Sequence, residues 1–265
     1  MKILVIGDSC LDTFIYGDIE RLAPEAPVPV IKPKYKKENG GMAANVVENL
    51  KALGAEVDLI TNSTIIKKIR FVDERYNQME FWVDENDFCN RINFNDIVFE
   101  GEKKSLRTSN LNLDYINKNY NAVVISDYCK GFLTEEDIEK ITNCDIPTFL
   151  DTKKFLGNYC NNIDFIKINS EEHKKNHERL PNYPDLLDKL IVTKGKYGCE
   201  YKEKIYPTEE VPVKDVSGAG DTFIAGLVFE YVNSKDIEKA INFAQECTTK
   251  VAQKSGVSTI WEKIL

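Results

Sequence analysis

No stretch of the 265-residue chain approaches the ~20 consecutive apolar residues of a membrane-spanning helix, so none is expected. No CxxC pair occurs among the seven scattered cysteines, Cys10, Cys89, Cys129, Cys144, Cys160, Cys199 and Cys247. That spacing argues against a zinc site, and the odd count reads as free thiols in a reducing compartment. Basic residues are in deficit: 35 Lys and Arg against 43 Asp and Glu give a formal charge of −8. Such a field argues against a general nucleic-acid binder and leaves any anionic substrate to local cations and backbone amides. Histidine is scarce. His173 and His177 lie in EEHKKNHER with no glutamate in an H-E-x-x-H position, and read as a solvated helix face rather than a metal site. Repeats and low-complexity tracts are absent. The opening MKILVIGDS carries charge almost at once and reads as a buried strand, not a signal peptide, so a cytoplasmic protein is expected.

What is present is an alternation of apolar runs with helix-period segments, the pattern of βα units around a mostly parallel sheet. Strands are predicted at Ile3–Ile6, Val57–Ile60, Ala122–Ser126, Thr148–Asp151, Phe165–Ile168 and Leu190–Thr193. Helices are predicted at Ala43–Leu53, Thr134–Ile141, Ser170–Glu178, Ala219–Asn233 and Ser234–Lys254. Two stretches break the rhythm. The prolines of APEAPVPVIKP, within 16–35, exclude helix and suit edge strands. The segment IIKKIRFVDERYNQMEFWV, 65–83, reads as two strands around a turn near 73–77. Together they predict a small sheet standing off the main domain, which must cover a face with a substrate cleft or a second subunit.

The string VKDVSGAGDTF, 213–223, opens an apolar helix. Gly218 and Gly220 flank Ala219 and let backbone N–H groups line a concave loop, to which the helix N-terminus adds positive potential. A carboxylate at Asp221, beside such an anion site, can take a proton from an attacking hydroxyl. The same four residues also read as an ordinary glycine turn with an early helix acid.

The whole string resembles the C-terminal signature of the ribokinase (PfkB) carbohydrate kinases. GDSCLD at 7–12 and GGMAAN at 40–45 resemble the same family. YGDIERLAPEAPVPV, SDYCKG at 126–131 and VTKGKYG at 192–198 are similar to its heptose-7-phosphate kinase branch. The resemblance implies one ribokinase-like domain over 1–265, a three-layer α/β sandwich with a β-sheet lid from about 13–38 and 64–84. It implies ATP-dependent phosphorylation of a sugar or sugar phosphate, with D-glycero-D-manno-heptose 7-phosphate at C1 as the leading acceptor. A kinase for another sugar or nucleoside, and an idle sugar-binding scaffold, are the alternatives.

By position, the resemblance assigns the sugar to Asp12, Gly41 and Asn45. Asp8 reads equally as a turn residue after the first strand. Lys68 and Arg70 are predicted on one side of a lid strand, where Arg70 could hold a distal phosphate or belong to a solvated face. Asp127 and Lys130 follow a strand end and are expected to face the sugar. Asn169 and Glu172 match an N-x-x-E element that organises Mg²⁺ through water, although Asn before Ser-Glu-Glu is also a plain helix start. Thr193, Lys194 and Gly195 are assigned to ATP. Asp215 and Ser217, with Gly256 and Ser258, match a monovalent-cation loop whose candidate ion is K⁺. The aromatic set Tyr76, Phe81 and Trp82 suggests lid packing or a homodimer through the lid; no nucleic acid or membrane partner is expected. Three departures bear on the substrate. A few tens of residues are missing between Asn62 and Thr64, the second lid strand carries no arginine near Trp82, and Gln245 replaces an asparagine.

Overall fold

The computed structural model describes residues 1–97, 111–212 and 216–253. Twelve strands are described: β1 (Lys2–Gly7), β2 (Ser9–Leu22), β3 (Pro29–Met42), β4 (Glu56–Thr61), β5 (Ile66–Asp73), β6 (Gln78–Glu85), β7 (Ala122–Asp127), β8 (Thr148–Thr152), β9 (Phe165–Asn169), β10 (Leu190–Thr193), β11 (Cys199–Tyr201) and β12 (Lys204–Tyr206). The α-helices are α1 (Ala43–Ala52), α2 (Leu113–Asn119), α3 (Glu135–Ile141), α4 (Ser170–Asn176), α5 (Pro184–Leu187), α6 (Ala219–Ser234) and α7 (Ile237–Ala252). All six predicted strands and five predicted helices are present. The last helix begins at Ile237 rather than Ser234, because Asp236 caps it through Glu238 and Lys239 N–H. The β11–β12 pair, α2 and α5 are additional.

The main sheet runs β12-β11-β10-β9-β8-β7-β1-β4, parallel from β4 to β10. Its central strands are apolar on both sides, as a sheet covered on both faces requires. Ile3 and Val5 pack with Val46, Leu50, Ile224 and Leu227 under α1, α6 and α7. Leu4 and Ile6 pack the other way, with Ile116, Ile138 and Ile141 under α2 and α3. This is a three-layer sandwich. Strand order reverses between β1 and β7, and open α/β sheets bind ligands outside the strand C-termini at such a point. There Gly7 lets the strands close up: a Cβ would lie 1.9 Å from the Ser126 carbonyl oxygen.

The second sheet runs β3-β2-β5-β6. It starts at Ser9 and extends to Met42, about four residues beyond each predicted limit. The reason is that β2 and β3 pair back to Cys10–Gly41 and Ser9–Met42, so Ser9–Asp12 of GDSCLD and the GGM motif belong to strands. Pro29 and Pro33 lie on β3, an edge strand, where the missing N–H is tolerated. Only 62–65 join β4 to β5, and Asn62 closes this short link by bonding Ser9 N–H, the Ser9 carbonyl and the Thr64 carbonyl. The short link leaves β4 as the edge of the main sheet. Met79, Phe81 and Trp82 on edge strand β6 remain exposed.

Candidate active site

Helix α6 starts at Gly218, whose φ of +77° is a left-handed conformation that a side chain would strain. The turn delivers Ala219, Gly220 and Asp221 as the first three helical residues, whose N–H groups cannot bond within the helix. Asp221 is buried, and both its oxygens accept hydrogen bonds: Oδ2 from Asn45 Nδ2 at 2.9 Å and Oδ1 from the Tyr128 hydroxyl at 2.6 Å. Burial pushes its carboxyl up to about 6, against the lowering by the Tyr128 and Asn45 hydrogen bonds. A carboxylate so tuned is a competent proton acceptor near neutral pH. Asn45 is itself fixed: Asn49 Nδ2 donates to its carbonyl at 2.9 Å and to its Oδ1 at 3.1 Å.

Asp221 faces a cavity of about 270 Å³ between α6 and the small sheet, also lined by Cys10, Asp12, Asn45, Lys68, Arg70, Trp82, Tyr128 and Ser217. Gly41 is required here. A Cβ on it would meet Asp12 Oδ2 at 2.2 Å and Cys10 Sγ at 2.6 Å. Cross-strand register puts Phe14, Arg70 and Trp82 in one row and Asp12, Lys68 and Asp84 in the next. The Arg70 guanidinium lies between the Phe14 and Trp82 rings, 5.0 and 4.4 Å from their centroids, and is ion-paired to Asp12. Both ions of that pair are nearly buried. Lys68 stands apart, its ammonium 5.1 Å from the Trp82 centroid, and no carboxylate pairs with it among the described residues.

Behind the first turn of α6 lie two lysines and two acids: Asp151 on β8, Lys153 just after it, Lys167 on β9 and Glu172 in the first turn of α4. Lys167, buried in the run FIKIN, is 2.7 Å from Asp151 Oδ2. Its ammonium would be 2.8 Å from a Cβ at Gly220, so that glycine admits the lysine against the helix start. Lys153 pairs with Glu172, lies 3.7 Å from Asp151 and covers the Tyr128 ring at 5.0 Å. Despite burial, Asp151 and Glu172 hold Lys153 above the ordinary lysine range. Burial opposes the Asp151 charge, but Lys167 and Lys153 keep its carboxyl below the usual value. Asn169 and Glu172 form a reciprocal capping box on α4: Asn169 Oδ1 accepts Glu172 N–H at 2.9 Å, and Glu172 Oε2 accepts Asn169 N–H at 2.7 Å. The helix-start reading of that motif is thus realised.

Across the α6 start lies a second cavity of about 110 Å³, lined by Thr193, Gly195, Thr208, Ala219, Gly220 and Gln245, among others. Gln245 donates to the Tyr206 carbonyl at 3.0 Å. The Lys194 ammonium, in contrast, pairs with Glu200.

Asp12, Gly41, Asn45, Lys68, Arg70, Gly218 and Asp221 are therefore brought together around the first cavity, and Thr193, Gly195, Ala219 and Gly220 around the second. Asp127 and Lys130 depart from expectation. Asp127 accepts from Thr152 Oγ1 at 2.5 Å and from Lys154 Nζ at 2.7 and 2.8 Å, whereas Lys130 pairs with Asp87 at 2.6 Å. Neither lines the cavity; Tyr128, between them, does. Asp215, Gly256 and Ser258 lie outside the described residues. Tyr128, Asp151, Lys153 and Lys167 escaped sequence reasoning. Only Lys167 carried a signal, a lysine inside a continuous apolar strand run, which needs a buried partner.

Residues 97–264 match the family model described as pfkB family carbohydrate kinase. The bifunctional protein HldE of Hydrogenovibrio crunogenus is 31% identical over 294 aligned positions, covering 98% of this chain and 61% of that protein. HldE of Campylobacter jejuni strain RM1221 is 31% identical over 300 positions, covering 99% and 64%. The chain thus spans about three fifths of the length of these curated relatives. Among solved structures, phosphofructokinase-2 of Escherichia coli in complex with potassium matches with a TM-score of 0.70 at 13% identity, over 97% of this chain and 94% of that one. Arabidopsis thaliana ribokinase complexed with ribose and ATP gives 0.66 at 15%, covering 97% and 94%. The Methanocaldococcus jannaschii nucleoside kinase, an archaeal ribokinase-family member, gives 0.65 at 19%, covering 97% and 93%. With a ribokinase-like fold and a family match over more than half its length, the chain belongs to the pfkB family of carbohydrate kinases.

Proposed function

We propose that the chain transfers the γ-phosphoryl group of ATP to a hydroxyl of a sugar phosphate, with D-glycero-D-manno-heptose 7-phosphate at C1 as the acceptor. The observation that carries this is Asp221, a buried carboxylate in the first turn of α6, with one cavity on each side of that turn. The sugar occupies the larger cavity, where Asp12 and Asn45 offer acceptor and donor groups to its hydroxyls. The nucleotide lies along Thr193, Gly195 and Gln245. Asp221 takes the proton of the attacking hydroxyl. The main-chain N–H groups of Gly218 and Gly220 hold the transferred group while that of Ala219 donates to the Val216 carbonyl and fixes the turn, and Lys167 adds positive charge behind them. The small sheet then acts as a lid that excludes water.

The described residues contain no cluster of three metal-ligating side chains, so a bound cation would rely on one or two carboxylates and on substrate phosphate. Mg²⁺ accepts that donor set, and Glu172 and Asp151, hard oxygen donors beside the α6 start, fit it through water. When bound, Mg²⁺ neutralises phosphate charge. The K⁺ expectation at Asp215 and Ser217 rests on sequence alone.

Cation balance bears on the acceptor. With Arg70 committed to Asp12, Lys68 is the cavity cation left for an acidic group, which supports one distal phosphate. The short 62–65 link and the absence of an arginine on β6 favour a second reading, a kinase for another sugar. ATP consumption across a panel of sugars and sugar phosphates separates them. Turnover with heptose 7-phosphate is expected; turnover only with other acceptors selects the second reading. Sugar binding with no turnover of any acceptor would refute the kinase reading.

A further inference from the structure

We propose that Tyr128 is a positioning residue for phosphotransfer: its hydroxyl proton is committed to Asp221 and, together with Asn45, holds that carboxylate with its remaining lone pairs turned to the sugar cavity. The inference rests on the kinase reading of Asp221 and adds to it the group that aims the base.

Each carboxylate oxygen has two acceptor positions. On Asp221, Tyr128 takes one on Oδ1 at 2.6 Å and Asn45 takes one on Oδ2 at 2.9 Å. Two donors on different oxygens fix rotation about the Cβ–Cγ bond. A carboxylate held this way presents its other lone pairs in one direction, as efficient proton transfer requires. The phenol serves as a donor throughout, because burial and the Asp221 charge raise its own ionisation well above the ordinary value.

Tyr128 is built into place rather than resting there. Its N–H donates to Asp8 Oδ2 at 2.7 Å, and Asp8 Oδ1 also accepts Phe132 N–H at 3.3 Å. Asp8 is fully buried at the point where the sheet reverses order, with its own N–H on the Ser126 carbonyl at 3.1 Å. The next residue, Cys129, has a φ of +57° and bonds back to Asp127 Oδ1 at 3.2 Å, so the loop turns sharply to aim the phenol inward. Lys153 closes the outer face of the ring at 5.0 Å. Asp8, read from sequence as a turn residue, thereby acquires a role through Tyr128.

The charged and titratable groups around Asp221 come from every neighbouring element. They are Asp151 on β8, Lys153 beyond it, Lys167 on β9, Cys10 on β2, and Asp12, Lys68 and Arg70 across the cavity. Tyr128 differs from these in donating a direct hydrogen bond to the carboxylate.

Tyr128→Phe removes only the hydroxyl and keeps the ring under Lys153. Asp221 is then read directly by carbon NMR of carboxyl-labelled aspartate, its resonance assigned by its loss in Asp221→Asn. In the phenylalanine variant, its titration midpoint is expected to rise by about one pH unit, a tenfold change in proton affinity. The acid limb of kcat against pH should move the same way, with the ATP KM within about twofold of wild type. An unmoved midpoint, or a fall in kcat with no change in the shape of the pH profile, overturns the proposal. Absence of turnover by the wild-type protein would refute the kinase reading, whereas the NMR comparison would still show whether Tyr128 governs the carboxylate.

Discussion

Replacing Asp221 by asparagine should separate catalysis from stability, because the structure makes this residue costly to the fold. Its carboxyl moves from an ordinary 3.8 to about 6, chiefly through burial. At about 1.36 kcal/mol per unit, the folded state loses about 3 kcal/mol as the group ionises. The sign follows from the direction of the shift. The folded chain binds this proton more tightly than the unfolded chain, so the group costs nothing well below pH 4, and its penalty grows as pH rises through about 6. About 2 kcal/mol of the change falls between pH 4.5 and pH 8, because the unfolded carboxyl titrates first. Asparagine abolishes this term but adds a fixed cost of about 1–3 kcal/mol, since with its oxygen kept on Asn45 Nδ2 its NH₂ faces the Tyr128 hydroxyl, whose proton then loses its buried acceptor. That cost is independent of pH and cancels when the variant is compared with itself at two pH values. Urea unfolding of both proteins at pH 4.5 and pH 8 should therefore show the difference swinging by about 2 kcal/mol in favour of the variant at pH 8. In the same samples, kcat with ATP and the best acceptor should fall by about 10²–10⁴ while the ATP KM barely changes. A swing below about 0.5 kcal/mol would refute the electrostatic argument. A kcat within tenfold of wild type would refute the assignment of the base.

Two further substitutions test the sugar cavity. Lys68→Gln should raise KM for phosphorylated acceptors by tenfold or more and leave unphosphorylated sugars within about twofold, because it removes the cavity cation that pairs with no carboxylate among the described residues; equal losses for both would assign Lys68 to structure. Gly41→Ala would place a methyl 2.2 Å from an Asp12 oxygen that its pair with Arg70 prevents from moving aside. Acceptor KM should rise with ATP KM unchanged, measured by initial rates.

The sequence by itself determined the sandwich and the place of the proposed base, Asp221, at a helix start. Buried parallel strands are continuous apolar runs, and the glycines at Gly218 and Gly220 mark a backbone that must turn and come close to a partner; both are local signals. The Thr134 and Asn169 helix starts were legible for the same reason, since a cap is set by neighbours three residues apart. Tertiary structure alone decided which charges remain available. Arg70 read either as a phosphate ligand or as part of a solvated face, but cross-strand register and two aromatic rings commit it to Asp12, leaving Lys68. Asp127 and Lys130 looked directed at the sugar, yet partners at Lys154 and Asp87 draw them away, and the tyrosine between them reaches the cavity. Ion pairing depends on which side chains meet after the chain has folded, over separations of 27 to 58 residues for these pairs, and no local pattern encodes those meetings.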